Sequence, residues 1–404
     1  MKPLLALFMV APLVLGGCVA SSSGDKDNGE PAVDAPAADP GGGDQGTADS
    51  ATDTAKDTAA KDGGATDGPA ADPGINPDIG TPDIVADAGA ADTIELPTEK
   101  PPIDATYETF IGDWDMPTGK ETTKCALKRL NNPEPIFVTG IKTVLAKGSH
   151  HLIVYKSAET DEKPEPFGCT PFTEGLTGQT FPLMISQVSE EHLEFPNGVA
   201  IKLEANQMIR LEAHFLNYYP EDITARADVI FETIKEEDMV AEANMLFYGS
   251  PDFSVKANQV TTTDWFRLDQ WAGTNVFALT GHTHQLGTNV EIYKTSGTDD
   301  DGTEIYPMGE EFVWSESPVI QYDPPMYFGE GDGFRYRCTW DNDTNKNVGF
   351  GESATDEMCF FWAYYYPSQG YRLCINAGSL GAGFGIDQVC CPGSPLCDLV
   401  DQWL

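Results

Sequence analysis

The sequence predicts an all-β protein in which two tandem antiparallel β-sandwich domains, jelly-roll-like in type, follow a disordered acidic linker. Short apolar runs recur after residue 105, bounded by Gly, Pro, Asn or Asp; examples are PIFVTGIKTVL, HHLIVYK and MCFFWAYYYP. Such runs are typical of strands between turns, and their spacing favours sandwiches over βαβ units. A body of about 300 residues is too long for one ordinary sandwich. We therefore predict domains at residues 105–235 and 236–375, then a Cys-rich extension at 376–404.

The charge of the chain excludes several classes of partner. Its 404 residues carry 64 acidic side chains against 24 Lys and Arg, a formal net charge of −40. Nucleic-acid binding needs a basic face, so no nucleic-acid partner is expected. The same charge disfavours direct binding to an anionic membrane surface. Nine Cys are ordinary in an oxidising compartment and unusual in a reducing cytosol, which indicates an exported protein.

Residues 1–18, MKPLLALFMVAPLVLGGC, have the form of an export signal. One Lys precedes an apolar stretch that is shorter than the ~20 residues of a spanning helix. Its end, LGGC, resembles a bacterial lipobox, which implies cleavage before Cys18 and lipidation of the Cys18 sulfur. We therefore expect a lipid anchor as the sole membrane contact, at the bacterial cell envelope. Val19 in place of an Asp favours the outer membrane or cell surface. An ordinary secretory signal with an incidental Cys18 is the alternative.

Residues 19–104 predict a disordered tether between the anchor and the folded body. They are mostly Ala, Asp, Gly, Pro, Thr and Ser, with almost no aromatic side chains, and include the acidic repeat TADSATDTAKDTAAKDGGATDG. Such a segment cannot bury enough apolar surface to offset the entropy lost on ordering. As a flexible coil it would span roughly 50 Å. An acidic tail that captures metal is the alternative interpretation.

All six histidines lie in the body, and four of them form two tight pairs. On a strand, residues i and i+2 share a face, so His282 and His284 can chelate one metal such as zinc or copper. The adjacent His150 and His151 can do so only if the backbone bends or the rings use different nitrogens. A lone strand histidine, as at His214, is usually structural.

One further side chain is a candidate metal ligand. Met358 lies between Glu357 and Cys359, after a polar, Gly-rich stretch. A methionine there is usually part of the core, but a thioether is also a soft ligand that suits Cu(I).

The order HH, H, HxH, M resembles the copper type II, ascorbate-dependent monooxygenase family over roughly residues 106–375. The carrying motifs are HTHQLG, which begins at His282, and TDEMC, which contains Met358. The resemblance implies two β-sandwich domains with one copper ion each. The first copper would be bound by His150, His151 and His214 and would transfer electrons. The second, bound by the catalytic residues His282, His284 and Met358, would activate O₂ for C–H hydroxylation of a small organic substrate. Ascorbate or another one-electron donor would supply the electrons.

The resemblance also implies a disulfide between Cys338 and Cys359, beside Met358. Cys125 and Cys169 both fall in the first predicted domain and form the natural second pair. The remaining four allow three pairings, and the adjacent pair among them cannot easily join; they are Cys374, Cys390, Cys391 and Cys397. A zinc site made by these four cysteines is the alternative, although disulfides suit an oxidising compartment better.

Three positions depart from the peptide-amidating members of that family. Those members place an Arg, an Asn and a Tyr where this chain has Thr280, Phe360 and Trp362. Their carboxylate-binding set is therefore missing, which disfavours a peptidylglycine substrate. Phe360, Trp362 and Tyr364 suggest an apolar or aromatic substrate, although strand aromatics are more often core. His192 has no place in the pattern and is expected to be a surface or structural residue.

Two other functions remain open from the sequence. A non-catalytic copper-binding envelope lipoprotein would keep the ligands without productive chemistry. A β-sandwich surface module for binding or adhesion would leave the histidine pairs unexplained.

Overall fold

Strands dominate the part of the chain that the structure, a computed structural model, describes. The described residues are 94–170, 180–268, 271–297, 302–378, 388–391, 394 and 396–397. The predicted signal peptide, Cys18 and residues 19–93 of the predicted tether lie outside them. Within the described ranges, no helix has the length and apolar character needed to cross a bilayer.

The first half of the folded chain forms two sheets. Their strand orders are β1-β10-β3-β8-β11, with β7 beside β3, and β5-β2-β9-β4-β6. The pairing is antiparallel except between β8 and β11. The strands are β1 (Ala105–Met116), β2 (Glu121–Arg129), β3 (Ile136–Leu145), β4 (Ser149–Ser157), β5 (Lys163–Gly168), β6 (Phe181–Ser186), β7 (Glu190–Glu194), β8 (Val199–Leu203), β9 (Met208–Leu216), β10 (Ile223–Ile234) and β11 (Ala241–Glu242).

The second half forms two more sheets, with orders β18-β15-β20-β12-β21-β22 and β13-β19-β16-β17, where β14 pairs with β19. Short 3-10 helices occur at Glu236–Asp238 and Gly309–Glu311. The strands are β12 (Asn244–Gly249), β13 (Gln259–Thr262), β14 (Phe266–Leu268), β15 (Thr274–His282), β16 (Gly287–Ser296), β17 (Thr303–Glu304), β18 (Ile320–Phe328), β19 (Asp332–Asn342), β20 (Phe360–Tyr366), β21 (Arg372–Asn376) and β22 (Gln388–Cys391).

The sheets of each half enclose a core, as the predicted sandwiches require. In the first half, Ile141 and Val229 of one sheet share a core with Val154 and Leu211 of the other. All the described residues belong to one compact unit. Strand pairing changes from the first pair of sheets to the second between Glu242 and Asn244. The predicted domain boundary at residue 235 stays a prediction.

Strand β20 separates two cores, which accounts for its uninterrupted apolar sequence. Its side chains alternate in direction. Phe360, Trp362 and Tyr364 join the core shared with the first half, whereas Phe361 and Tyr365 join the core of the second half. The residues that suggested an aromatic substrate are therefore packed in the interior. Phe360 and Trp362 both stack on Phe247, at centroid distances of 5.1 and 5.9 Å.

Two predicted segment boundaries need correction. Residues 94–104, assigned to the disordered tether, contact the body: Ile94 and Leu96 pack against the core, and Asn197 donates a hydrogen bond to the Pro97 carbonyl. These apolar side chains give the end of the tether a surface to bury. The Cys-rich extension is also not separate, because β22 pairs with β21 and extends a sheet of the second half.

All eight cysteines of the body form disulfides. Cys125–Cys169 and Cys338–Cys359 are the two predicted pairs. The remaining four form Cys374–Cys390 and Cys391–Cys397, which selects one of the three open pairings. The alternative of a four-cysteine zinc site is thereby wrong. Cys374 and Cys390 face each other across the β21–β22 pair, a register that the sequence did not reveal.

Candidate metal centre

Five of the six histidines lie together in the interior and form what we call the histidine cluster: His150, His151, His214, His282 and His284. Each is at most 3% exposed. His150 is central, and the ring centroids of the other four lie 5.0, 5.3, 5.5 and 5.6 Å from its own. Residues from both halves of the folded chain thus meet at one point.

The cluster contains two overlapping groups that could each hold a metal ion. In each group the ligand nitrogens lie within 4.8 Å of one another. One group is His150, His151 and His214, the predicted first ligand set. The other joins His282 and His284 to His150. The structure therefore places the histidines of the two predicted ligand sets next to each other, with His150 between them.

His150 and His151 both reach the cluster because β4 is irregular where it begins. The pairing of β4 with β9 shifts register between Ser149 and His151, which places His151 opposite His214. A bulge of this kind inserts an extra residue and redirects side chains. The backbone bend that the sequence left open is therefore present.

The HxH pair is positioned by a strand end and a turn. β15 ends at His282, whereas His284 lies in the connection to β16. The expectation that both residues lie on one strand face was wrong, although the ring centroids are still 5.2 Å apart. The Gly287 N–H donates to the His284 carbonyl at 2.9 Å and closes the turn. The position requires glycine, because a Cβ there would collide with the Thr283 side chain.

Gln187, from the first half of the chain, orients His282. The Gln187 amide nitrogen donates towards Thr280 Oγ1 and the carbonyls of Gly281 and Ser317, at 3.2–3.4 Å. Its amide oxygen consequently faces His282 Nδ1 at 2.5 Å. An amide oxygen only accepts, so Nδ1 carries the proton and Nε2 keeps its lone pair. That Nε2 is buried and has no hydrogen-bond partner among the described residues.

The loop before Met358 surrounds His284. The Asp356 carbonyl accepts from His284 Nδ1 at 3.2 Å, which leaves Nε2 as the ligand atom. The buried Glu357 carboxylate accepts from the backbone N–H groups of His284 and Leu286, at 2.9 and 2.7 Å, and from Trp340 Nε1 at 2.7 Å. One side chain thus joins the HxH turn to the residue that precedes Met358.

His214 is oriented by Glu121 of β2. Its Nε2 lies 2.8 Å from Glu121 Oε1, so Nε2 donates and Nδ1 is left to face a metal. Carboxylate, carbonyl and amide partners of this type fix the orientation and tautomer of metal-binding histidines. His150 differs, since neither of its ring nitrogens has a hydrogen-bond partner among the described residues.

The electrostatics also suit a metal. Burial, followed by the neighbouring imidazoles, lowers the pKa of His150, His151 and His282 well below the ordinary value. Burial likewise lowers the pKa of His284 to about 4. Neutral imidazoles bind metals, whereas unpaired nitrogens buried in a protein are costly. The buried, partnerless nitrogens of His150 and His282 therefore fit a bound metal ion, and imidazole suits copper or zinc.

The remaining predicted residues have defined places. Met358 is buried and precedes Cys359, whose disulfide with Cys338 anchors the loop; its role as a ligand stays a prediction. His192 lies on β7, outside the cluster, and bonds to Glu232 at 2.9 Å, in agreement with a structural role. Thr280 is buried, within hydrogen-bonding distance of Gln187.

Sequence reasoning missed the residues that orient the rings. Gln187 and Glu121 belong to no local motif and are distant in sequence from the histidines they bind. Glu357 lies inside TDEMC and was noted only as a neighbour of Met358. For this residue a signal was available: a carboxylate directly before a buried apolar run requires donors if it is itself buried.

Fold and site together define a β-sandwich protein with a buried imidazole centre suited to copper. Residues 254–382 match the family described as copper type II ascorbate-dependent monooxygenase, C-terminal domain. Tyramine beta-hydroxylase of Caenorhabditis briggsae is 30% identical over 108 residues. That match covers 26% of this chain and 18% of the length of the hydroxylase.

Similar solved structures are remote. Tail fiber protein gp63.1 from an E. coli phage has a TM-score of 0.19 and 7% identity, covering 65% of this chain and 40% of its own. The VP2 subviral particle of infectious bursal disease virus has a TM-score of 0.16 and 8% identity, covering 68% and 74%. Scores this low carry no argument about fold or function.

Proposed function

We propose that this protein is a copper-dependent monooxygenase that hydroxylates a C–H bond of a small organic substrate, using O₂ and an external reductant such as ascorbate. The observation that carries the proposal is the cluster of five buried imidazoles with His150 at its centre. It occurs in a chain whose residues 254–382 match the copper monooxygenase family. Imidazole nitrogens and a thioether are a ligand combination that suits copper.

Two ligand sets would hold two copper ions. His150, His151 and His214 form the first, and His282 and His284 form the second together with Met358, whose thioether favours Cu(I). Bound copper would supply the activation of O₂ and the one-electron transfers that hydroxylation requires.

Groups of the protein itself would orient and shield the metal ligands. Gln187, the Asp356 carbonyl and Glu121 hold three imidazoles in one tautomer each. Burial keeps His150, His151, His282 and His284 neutral and excludes bulk water, which would otherwise compete for reactive species. The Cys338–Cys359 disulfide and the Glu357 hydrogen bonds hold the Met358 backbone in place, and a ligand held in advance loses less entropy when it binds.

Copper analysis of the purified, copper-reconstituted protein tests the proposal. We expect about two copper ions per chain, falling towards one in His284→Ala and Met358→Ala. His192→Ala is the matched control, because this histidine lies outside the cluster and should leave the copper content unchanged. Loaded wild-type protein should then couple ascorbate and O₂ consumption to a hydroxylated product.

Other results would favour the competing functions. Stoichiometric copper without coupled O₂ consumption over a broad substrate panel would favour the non-catalytic copper-binding lipoprotein. Binding of zinc alone, or of no metal, would end the monooxygenase proposal.

We also propose that the protein is anchored at the bacterial cell envelope through a lipid on Cys18. The support is the LGGC sequence at the end of the apolar stretch. Expression in a bacterium with labelled palmitate should label the wild-type protein and not Cys18→Ala. Equal labelling of both would contradict the anchor and leave the proposed chemistry untouched.

A further inference from the structure

A cavity of about 590 Å³ ends on the central histidine of the cluster. Its walls come from four separate segments: the turn between β3 and β4, the connection between β6 and β7, the segment that follows β9, and residues 314–316 of the second half. His150 and Gln187 both line it. Its volume lies within the range of small-molecule sites, roughly 300–1,000 Å³.

This cavity gives the buried cluster contact with small molecules. Every cluster histidine is at most 3% exposed, so a reactant needs a defined path to it. Of the five, His150 is the one that lines this cavity. A second cavity, of about 540 Å³, is lined by Pro97, His192 and Phe277 and by none of the cluster histidines. Of these two cavities, the first therefore offers a path to the cluster, through His150.

Aromatic side chains form the walls and the mouth of this cavity. The Trp314 ring lies 5.2 Å from the His150 ring, between centroids. The Lys147 ammonium lies over the Tyr219 ring, 3.6 Å from the ring centroid. Tyr218 is 66% exposed and Tyr219 is 37% exposed. Flat aromatic walls favour a ligand with a planar ring, because ring pairs gain energy beyond the area they bury.

The polar groups of the cavity favour a neutral ligand with a hydrogen-bonding group. Ser149 Oγ is buried, lines the cavity, and has no hydrogen-bond partner among the described residues. A buried hydroxyl without a partner is costly, and a ligand hydroxyl would satisfy it. Lys147 is the one cation among the described lining residues, and it forms an ion pair with Glu221 at 2.9 Å. Glu316, which also lines the cavity, adds a negative charge. An anion would therefore lack a free counter-charge within this described lining.

We propose that this cavity is the substrate site, that it takes a small neutral molecule with a planar ring and a hydroxyl group, and that Trp314 and Ser149 determine its specificity. The assignment as substrate site rests on the proposed function, whereas the binding specificity does not. Trp314 would stack on the ring, and Ser149 would pair with the hydroxyl.

Saturation-transfer NMR titration of the full chain with three matched probes tests the proposal. Benzyl alcohol has both the ring and the hydroxyl. Benzoate keeps the ring but carries a negatively charged carboxylate, and cyclohexylmethanol keeps the hydroxyl but lacks the planar ring. Benzyl alcohol should bind best. Trp314→Ala should weaken its binding about tenfold, the upper end for one aromatic pair, and Trp314→Phe should retain most of it. Ser149→Ala should remove the preference for benzyl alcohol over toluene.

Equal binding of the three probes, or unchanged benzyl alcohol binding in Trp314→Ala, would overturn the proposal. Trp314→Phe is the control for a loss of binding caused by misfolding, because it keeps an aromatic ring at the same position. The two proposals can fail separately. Trp314-dependent binding in a protein that takes up no copper would support the binding site and contradict the monooxygenase proposal. Coupled hydroxylation that is unchanged in Trp314→Ala would support the monooxygenase proposal and contradict the assignment of this cavity as its substrate site.

Discussion

Glu121 Oε1 lies 2.8 Å from His214 Nε2 and 3.0 Å from the backbone nitrogen of Ala354. One carboxylate of the first half thereby connects the first ligand set to the loop that leads to Met358. Glu121 Oε2 also lies 3.4 Å from Ser353 Oγ, in the same loop. Burial raises the pKa of Glu121, but these hydrogen bonds outweigh it and the net shift is downward, so the ionised form is the one that accepts them.

Removing this link should weaken copper binding at both ligand sets. Partners that orient metal-binding histidines typically contribute about 10–100-fold to metal affinity. We expect Glu121→Ala to lower affinity by about tenfold or more and Glu121→Gln, which keeps an acceptor oxygen, by less. Competition titration with a Cu(I) chelator measures both. Glu204→Gln is the control, since this exposed carboxylate pairs with Lys202 on the same half. An unchanged affinity in Glu121→Ala would contradict the link.

Gln187 should be needed for the orientation of His282. Gln187→Ala removes the acceptor for Nδ1–H, so the ring can adopt the other tautomer and present the wrong nitrogen. We expect a loss of about 10–100-fold in copper affinity at the second set and a change in the copper(II) electron paramagnetic resonance spectrum. Gln369→Ala is the control, because this exposed glutamine donates to the Ala272 carbonyl outside the histidine cluster, and it should retain the wild-type spectrum. Identical spectra for Gln187→Ala and wild type would reject this role.

Glu357 should stabilise the fold as well as the site. Its buried carboxylate accepts three N–H groups, and Glu357→Gln would turn an amide donor towards at least one of them. A buried donor left without a partner costs about 1–3 kcal/mol. Urea unfolding of the copper-free protein should show a loss of that size. The exposed Glu330→Gln is the control and should change the free energy of unfolding little; an equally small change in Glu357→Gln would contradict this account.

Glu352 should make stability depend on pH. Burial, followed by the charges of Glu212 and Asp356, raises the pKa of Glu352 from 4.5 to about 8. Between these values the folded chain keeps a proton that the unfolded chain releases, so this group lowers stability as pH rises through that window. Glu352→Gln should therefore stabilise the copper-free protein at pH 8 and have little effect below about pH 4.5.

Urea unfolding at both pH values measures this effect. The exposed Glu310→Gln is the matched control and should change little at either pH. A stabilisation by Glu352→Gln that is the same at pH 8 and pH 4.5 would show that the carboxyl group is not the cause.

Much of this protein follows from short-range patterns in its sequence. Runs such as MCFFWAYYYP predict strands because short apolar runs and the turn residues that bound them are local properties. The histidine pairs and Met358 indicate copper because ligand chemistry depends on residue type. The disulfide pairs Cys125–Cys169 and Cys338–Cys359 were likewise predicted from the sequence and its resemblance.

Tertiary structure alone decided how the site is assembled. The bulge at Ser149 turns His150 and His151 to one side, and its position depends on the register between β4 and β9. Gln187 and Glu121 reach histidines 95 and 93 residues away, and no local pattern encodes such contacts. The cavity at Trp314 also requires four distant segments to meet. Local patterns determine which groups can bind a metal, whereas the packing of both halves determines that five imidazoles surround one point.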